Sequence, residues 1–130
     1  FKDFIRTEPT DKNIVLLDQM RDVIRANVSI DAKKYIDGFI DLYKILKAHN
    51  INLNEDMLVG LVLHLACAIE KMQTGKLTEH AGKNQFESLK KQYNKDFDII
   101  KTALAPVESS FNIRLPAEVY SNFIKIIHFL

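Results

Sequence analysis

Apolar positions recur at helical spacing along almost the whole chain, and no stretch sustains the strict alternation of a half-buried strand. The pattern predicts an all-α domain, a compact bundle of about five or six antiparallel helices. Thr10-Asp11 offer a capping residue and an acid for a first helix, which turns Ile14, Leu17 and either Val23 or Ile24 inward. Ser29 is the expected cap of the second helix, whose apolar face is Ile36, Phe39, Ile40, Tyr43 and Leu46. Asn50-Ile51-Asn52-Leu53 reads as an extended connector. Asn54 then caps a central helix, with Glu55 and Asp56 in the first turn, where the helix dipole favours negative charge. That helix should run to Thr74 and stop at Gly75.

Beyond it the period lapses. Residues 76–84, which include Leu77-Thr78-Glu79-His80-Ala81-Gly82, read as a loop, followed by a short helix over residues 86–92. A longer helix from Asn94 carries Phe97, Ile100, Leu104, Val107 and Phe111. Pro106 falls inside that pattern and should kink it, because its ring crowds the preceding turn and removes a hydrogen bond. Leu115-Pro116 opens the last helix, with Val119, Phe123, Ile126 and Ile127 as its stripe.

The central helix is the most informative segment. Val59-Gly60-Leu61-Val62-Leu63-His64-Leu65-Ala66-Cys67-Ala68-Ile69-Glu70-Lys71 is nearly uninterrupted apolar sequence with one imidazole in its middle. At about 100° per residue, Leu58, Leu61, Val62, Leu65, Ile69 and Met72 form one broad stripe, and His64 lies beside it. So apolar a helix is normally buried, and a buried polar ring needs a partner. Periodicity alone therefore favours a core histidine bonded to a backbone carbonyl or a carboxylate. The small neighbours Gly60, Cys67 and Ala68 leave room beside the ring, either for a packed helix or for access by a second protein, with Lys71 two turns on.

Composition narrows the function classes. The length of 130 residues suits one domain, and 18 basic residues against 17 acidic ones give no electrostatic footprint for nucleic acid. Basic residues alternate with acids, as in Lys90-Lys91-Gln92-Tyr93-Asn94-Lys95-Asp96, which describes solvated helix faces. Cys67 is the only cysteine, so no intrachain disulfide forms, in keeping with a cytoplasmic protein. No apolar run has the length of a membrane span, and no signal-peptide pattern is present. The chain opens at Phe1, so a fragment of a larger protein is expected.

Catalytic and metal motifs are missing. His49, His64, His80 and His128 show no metal-ligand spacing, so no metal and no cofactor are expected. Cys67 stands at i+3 from His64, but a thiol on an apolar helix is usually inert packing. A histidine phosphotransfer domain would carry a lysine-glycine pair shortly after its histidine, where this chain has Ala68-Ile69.

His64-Leu65-Ala66-Cys67-Ala68-Ile69-Glu70-Lys71, ending at Gly75, resembles the first histidine motif of the PTS regulation domain (PRD). Leu89-Lys90-Lys91-Gln92-Tyr93-Asn94-Lys95-Asp96-Phe97 is similar to that family's lysine, tyrosine, acid, aromatic segment. Val107-Glu108-Ser109-Ser110-Phe111-Asn112-Ile113-Arg114-Leu115-Pro116 is similar to its Ile-Glu … Ile-Pro segment. The pieces stand in the family's order from Ser29 to the end. The wording of residues 58–67 most resembles the levanase-regulator type of sigma-54-dependent activator.

The resemblance implies a single regulatory domain over residues 1–130 of a larger bacterial transcriptional regulator, not an enzyme. It implies phosphorylation on histidine by the phosphocarrier HPr or a sugar-specific enzyme IIB, a homodimer, and no DNA contact by the domain itself. His64 matches the first phosphoacceptor, with Gly60, Cys67, Ala68 and Lys71 around it. Lys71 stands where arginine is usual, which keeps the charge but loses bidentate geometry. The second histidine is expected near Lys125 or Ile126, and His128 lies two or three residues further on. A one-histidine variant follows, with His128 a helix-end residue near the last carbonyls. The alternative is a helical interaction module in which His64 is structural and carries no phosphate.

Overall fold

The computed structural model describes residues 11–78 and 83–129. Six helices account for the architecture: α1 (Lys12–Asn27), α2 (Ala32–Ala48), α3 (Glu55–Gln73), α4 (Lys83–Gln92), α5 (Asn94–Phe111) and α6 (Ala117–Phe129). The fold is all-α, without a strand among the described residues.

Helix starts follow the side chains that can satisfy exposed N–H groups. Asp11 caps α1 by accepting from Asn13 N, and Asn54 caps α3 by accepting from Met57 N at 2.9 Å. The second helix is capped by Asp31 and not by Ser29: Asp31 accepts from Lys34 N at 3.0 Å. Ser29 has a different job, since its own N–H donates to the Glu70 carboxylate at 2.5 Å and ties the α1–α2 connection to α3. Thr10, the other expected start residue, lies outside the described residues.

Gly75 ends α3 with φ of +75°, and Asn112 ends α5 with φ of 52°, both left-handed caps. α5 runs unbroken through Pro106. α4 starts earlier than periodicity suggests, at Lys83, so the expected loop shrinks. His80 and the rest of residues 79–82 lie outside the described residues.

The core sits where the stripes meet. α2 packs on α1 and α5, α3 on α6 and α1, and α4 on α5 and α6. Leu17 and Ile24 of α1 are fully buried, whereas Val23 is 44% exposed, which resolves the inward choice for α1. Gly38 permits the α2–α5 approach, because a Cβ there would stand 3.3 Å from Val107 Cγ2. Tyr35 of α2 is wholly buried, and its hydroxyl donates to the Val62 carbonyl of α3 at 2.5 Å. That desolvation pushes its phenol well above the usual range.

A polar clamp fixes the start of the bundle. The Asp11 carboxylate accepts from Tyr43 Oη at 2.9 Å and from Lys47 Nζ at 2.8 Å, while Asn13 Nδ2 donates to the Leu53 carbonyl at 3.1 Å. At the far side, Glu108 accepts from Leu115 N at 2.8 Å and so fixes the turn into α6. Partial burial pushes its carboxyl pKa up.

Candidate functional site

α3 presents two faces to two environments. Leu58, Leu61, Val62, Leu65 and Ile69 are fully buried, as the stripe predicts. His64, Leu63 and Cys67 lie on the exposed side. His64 is therefore not a core histidine, which corrects the expectation drawn from periodicity. The helix is apolar on both sides of its axis, but among the described residues its neighbours cover the His64 side only in part, and Leu63 is left 37% exposed.

The ring's partner is neither a backbone carbonyl nor a carboxylate. Asn122 of α6 bonds His64 Nε2 through its side-chain amide. Gly60, Cys67, Ala68 and Lys71 join His64 in lining a cleft of about 290 Å³ between α3 and α6. Leu77 also lines it, and Glu118, Val119 and Asn122 form the α6 wall. The neighbourhood expected from the helix period is thus assembled in one place. Its charged lining groups are one cation, Lys71, and one anion, Glu118.

Asn122 and Glu118 were not anticipated. Both stand on α6 one helical turn apart, beside the apolar positions Val119 and Phe123, so they share a face. The same face continues one turn on to Ile126, whose Cδ1 would stand 3.9 Å from a Cβ added at Gly60. The slot in which a second histidine was expected therefore abuts the His64 helix, and this chain fills it with an aliphatic side chain.

His128 lies elsewhere. It bonds the Asp96 carboxylate through Nε2 and stacks on Tyr93, with ring centroids 4.4 Å apart. Asp96 and Tyr93 place it against the α4–α5 junction. His128 is absent from the lining of the His64 cleft. The Tyr93…Asp96-Phe97 segment is thereby explained: Tyr93 and Asp96 hold His128, and Phe97 stacks on Tyr120 at 5.4 Å.

No group of three or more metal-ligating side chains occurs among the described residues. No helix there is long and apolar enough to cross a membrane. A family model described as the PRD domain matches residues 42–128. The chain belongs to the PRD family. The match runs from the C-terminal part of α2 through α3, α4 and α5 to His128 of α6, so it contains the whole His64 cleft. No curated protein and no solved structure matches the chain. PRD membership gives the chain a regulatory role tied to the sugar phosphotransferase system, in a regulatory rather than a catalytic family.

Proposed function

We propose that this PRD domain receives a phosphoryl group on His64 from HPr or a sugar-specific enzyme IIB. It would thereby control a bacterial transcriptional regulator of the levanase-regulator, sigma-54-dependent type. The observation that carries the reading is the exposure of His64 in a cleft, on an element otherwise built for burial. A structural histidine on so apolar a helix would be turned into the core. This one is turned to where another protein can reach it.

The cleft also supports a way of reading the phosphate out. A phosphoryl group adds roughly −1.5 to −2 charge units, by analogy with other phosphorylated side chains. Lys71 on the same helix attracts that charge, and Glu118 on α6 opposes it. The repulsion falls on the helix that also supplies Asn122, so phosphorylation weakens the α3–α6 contact. We take that shift to alter a homodimer or interdomain equilibrium of a cytoplasmic regulator, with no DNA contact by this domain. His128 is engaged by Asp96 and Tyr93 and is not assigned as a second acceptor.

The test is phosphotransfer from phosphoenolpyruvate through enzyme I, HPr and enzyme IIB to the domain, with the oligomeric state followed by light scattering. Label in the wild type and none in His64→Ala supports the assignment. Equal label in both defeats it.

A further inference from the structure

We propose that Asn122 is a positioning residue for His64, and that it makes Nδ1 the ring nitrogen that takes the phosphoryl group. This inference rests on His64 being the acceptor. The geometry behind it is the placement of the Asn122 side-chain amide against Nε2, with Nδ2 as the near atom and Oδ1 brought there by a half-turn of the amide, while Nδ1 has no hydrogen bond shown among the described residues.

A neutral imidazole has one protonated and one lone-pair nitrogen, and the partner of one fixes the role of the other. The amide has a donor end and an acceptor end, interchanged by rotation about its last bond. With Nδ2 toward the ring, the amide donates to Nε2 and the ring proton sits on Nδ1. With Oδ1 toward the ring, Nε2–H donates to the amide and Nδ1 carries the lone pair. Nε2 is occupied in both arrangements, so only Nδ1 can act as nucleophile, and it does so in the second. An aspartate at this position would fix the same tautomer, but it would add a second anion to a cleft that already holds Glu118. An amide selects the tautomer without opposing the incoming phosphate.

The step balances without an external base. The donor is a phosphohistidine of a carrier protein. The Nδ1 lone pair forms the new N–P bond, the donor's N–P bond breaks, and its electron pair stays on the donor nitrogen. His64 keeps its proton on Nε2, where Oδ1 of Asn122 accepts it. The positive charge that the ring acquires is shared through that bond, which becomes charge-assisted in the product.

The experiment uses the domain labelled with ¹⁵N-histidine. Long-range proton–nitrogen spectra before phosphorylation report the tautomer, and nitrogen–phosphorus coupling afterwards reports the nitrogen that carries phosphate. The wild type is expected to hold the Nε2–H tautomer and to carry phosphate on Nδ1. Asn122→Ala should give a mixed tautomer and slow phosphotransfer roughly fivefold, the worth of one neutral hydrogen bond. Asn122→Asp should restore the single tautomer. Phosphate on Nε2 of the wild type, or a tautomer unchanged in Asn122→Ala, overturns this inference and leaves the acceptor assignment standing. Absence of phosphate from His64 overturns both. The wild-type spectra need no variant to fold.

Discussion

Replacing His64 by alanine should leave the fold intact. The ring is exposed, so its removal opens no cavity, and the one hydrogen bond shown for it among the described residues is that with Asn122. A neutral hydrogen bond is worth about 1 kcal/mol, and exposure on the bundle surface makes that an upper value. Alanine returns about 0.5 kcal/mol in helix propensity. The net change is therefore below about 1 kcal/mol, and the melting temperature of a domain of this size should move by no more than about 5 °C. Leu65, the next residue, is fully buried. Leu65→Ala should cost roughly 2–5 kcal/mol, through lost burial and the cavity left behind. Thermal melts followed by circular dichroism, paired with urea unfolding, compare the two variants directly. A loss above about 2 kcal/mol in His64→Ala would refute the reasoning, because no exposed single hydrogen bond supplies that much. It would make His64 a structural residue and the domain a plain helical interaction module.

Other outcomes follow from the packing and the charges. Gly38→Val should destabilise by roughly 1–3 kcal/mol in urea unfolding, because its added atoms drive into Val107, already 3.3 Å from a bare Cβ. Ser121→Ala should stabilise by about 1 kcal/mol by the same assay. The Ser121 hydroxyl is buried on α6 with no hydrogen-bond partner among the described residues, and alanine removes an unsatisfied group from a helix. Lys47, bonded to Asp11, holds that carboxyl below its usual range against the opposing effect of burial, with Tyr43 and Asn13 adding to the lowering. A depressed folded pKa stabilises above the unfolded value of about 4 and is lost as pH falls through the folded one. Asp11→Asn, which keeps a capping oxygen, should therefore lose stability relative to wild type at neutral pH, with the gap closing below about pH 4.

Helix periodicity carried most of the fold, because each stripe is buried against a partner at the spacing a helix dictates. Leu17, Phe39, Leu65, Ile100 and Phe123 are all where the pattern puts them. Ser29 is the expected cap of α2 but Asp31 takes the role: both types accept from helix N–H groups, and only the path of the chain selects Asp31. Burial of His64 was misread for a related reason. Hydropathy of a segment reports how much apolar surface it has, not which faces its neighbours cover.

Two acids of the motifs have tertiary roles that spacing could not show. Glu70 accepts from Ser29 N in the α1–α2 connection, and Glu108 accepts from Leu115 N ahead of α6. Each partner is distant in sequence or lies across a turn. Asn122 was hidden in the same way, because its meaning depends on α6 lying against α3, and nothing local to α6 sets that contact.

The central claim is that one histidine accepts phosphate, and the stoichiometry and position of that phosphate test it most directly. The domain should be labelled by the reconstituted phosphotransferase system and read by intact mass under alkaline conditions, with wild type, His64→Ala and His128→Ala in parallel. One phosphate per chain is expected in the wild type and in His128→Ala, and none in His64→Ala. A phosphate that survives in His64→Ala and disappears in His128→Ala would contradict the account.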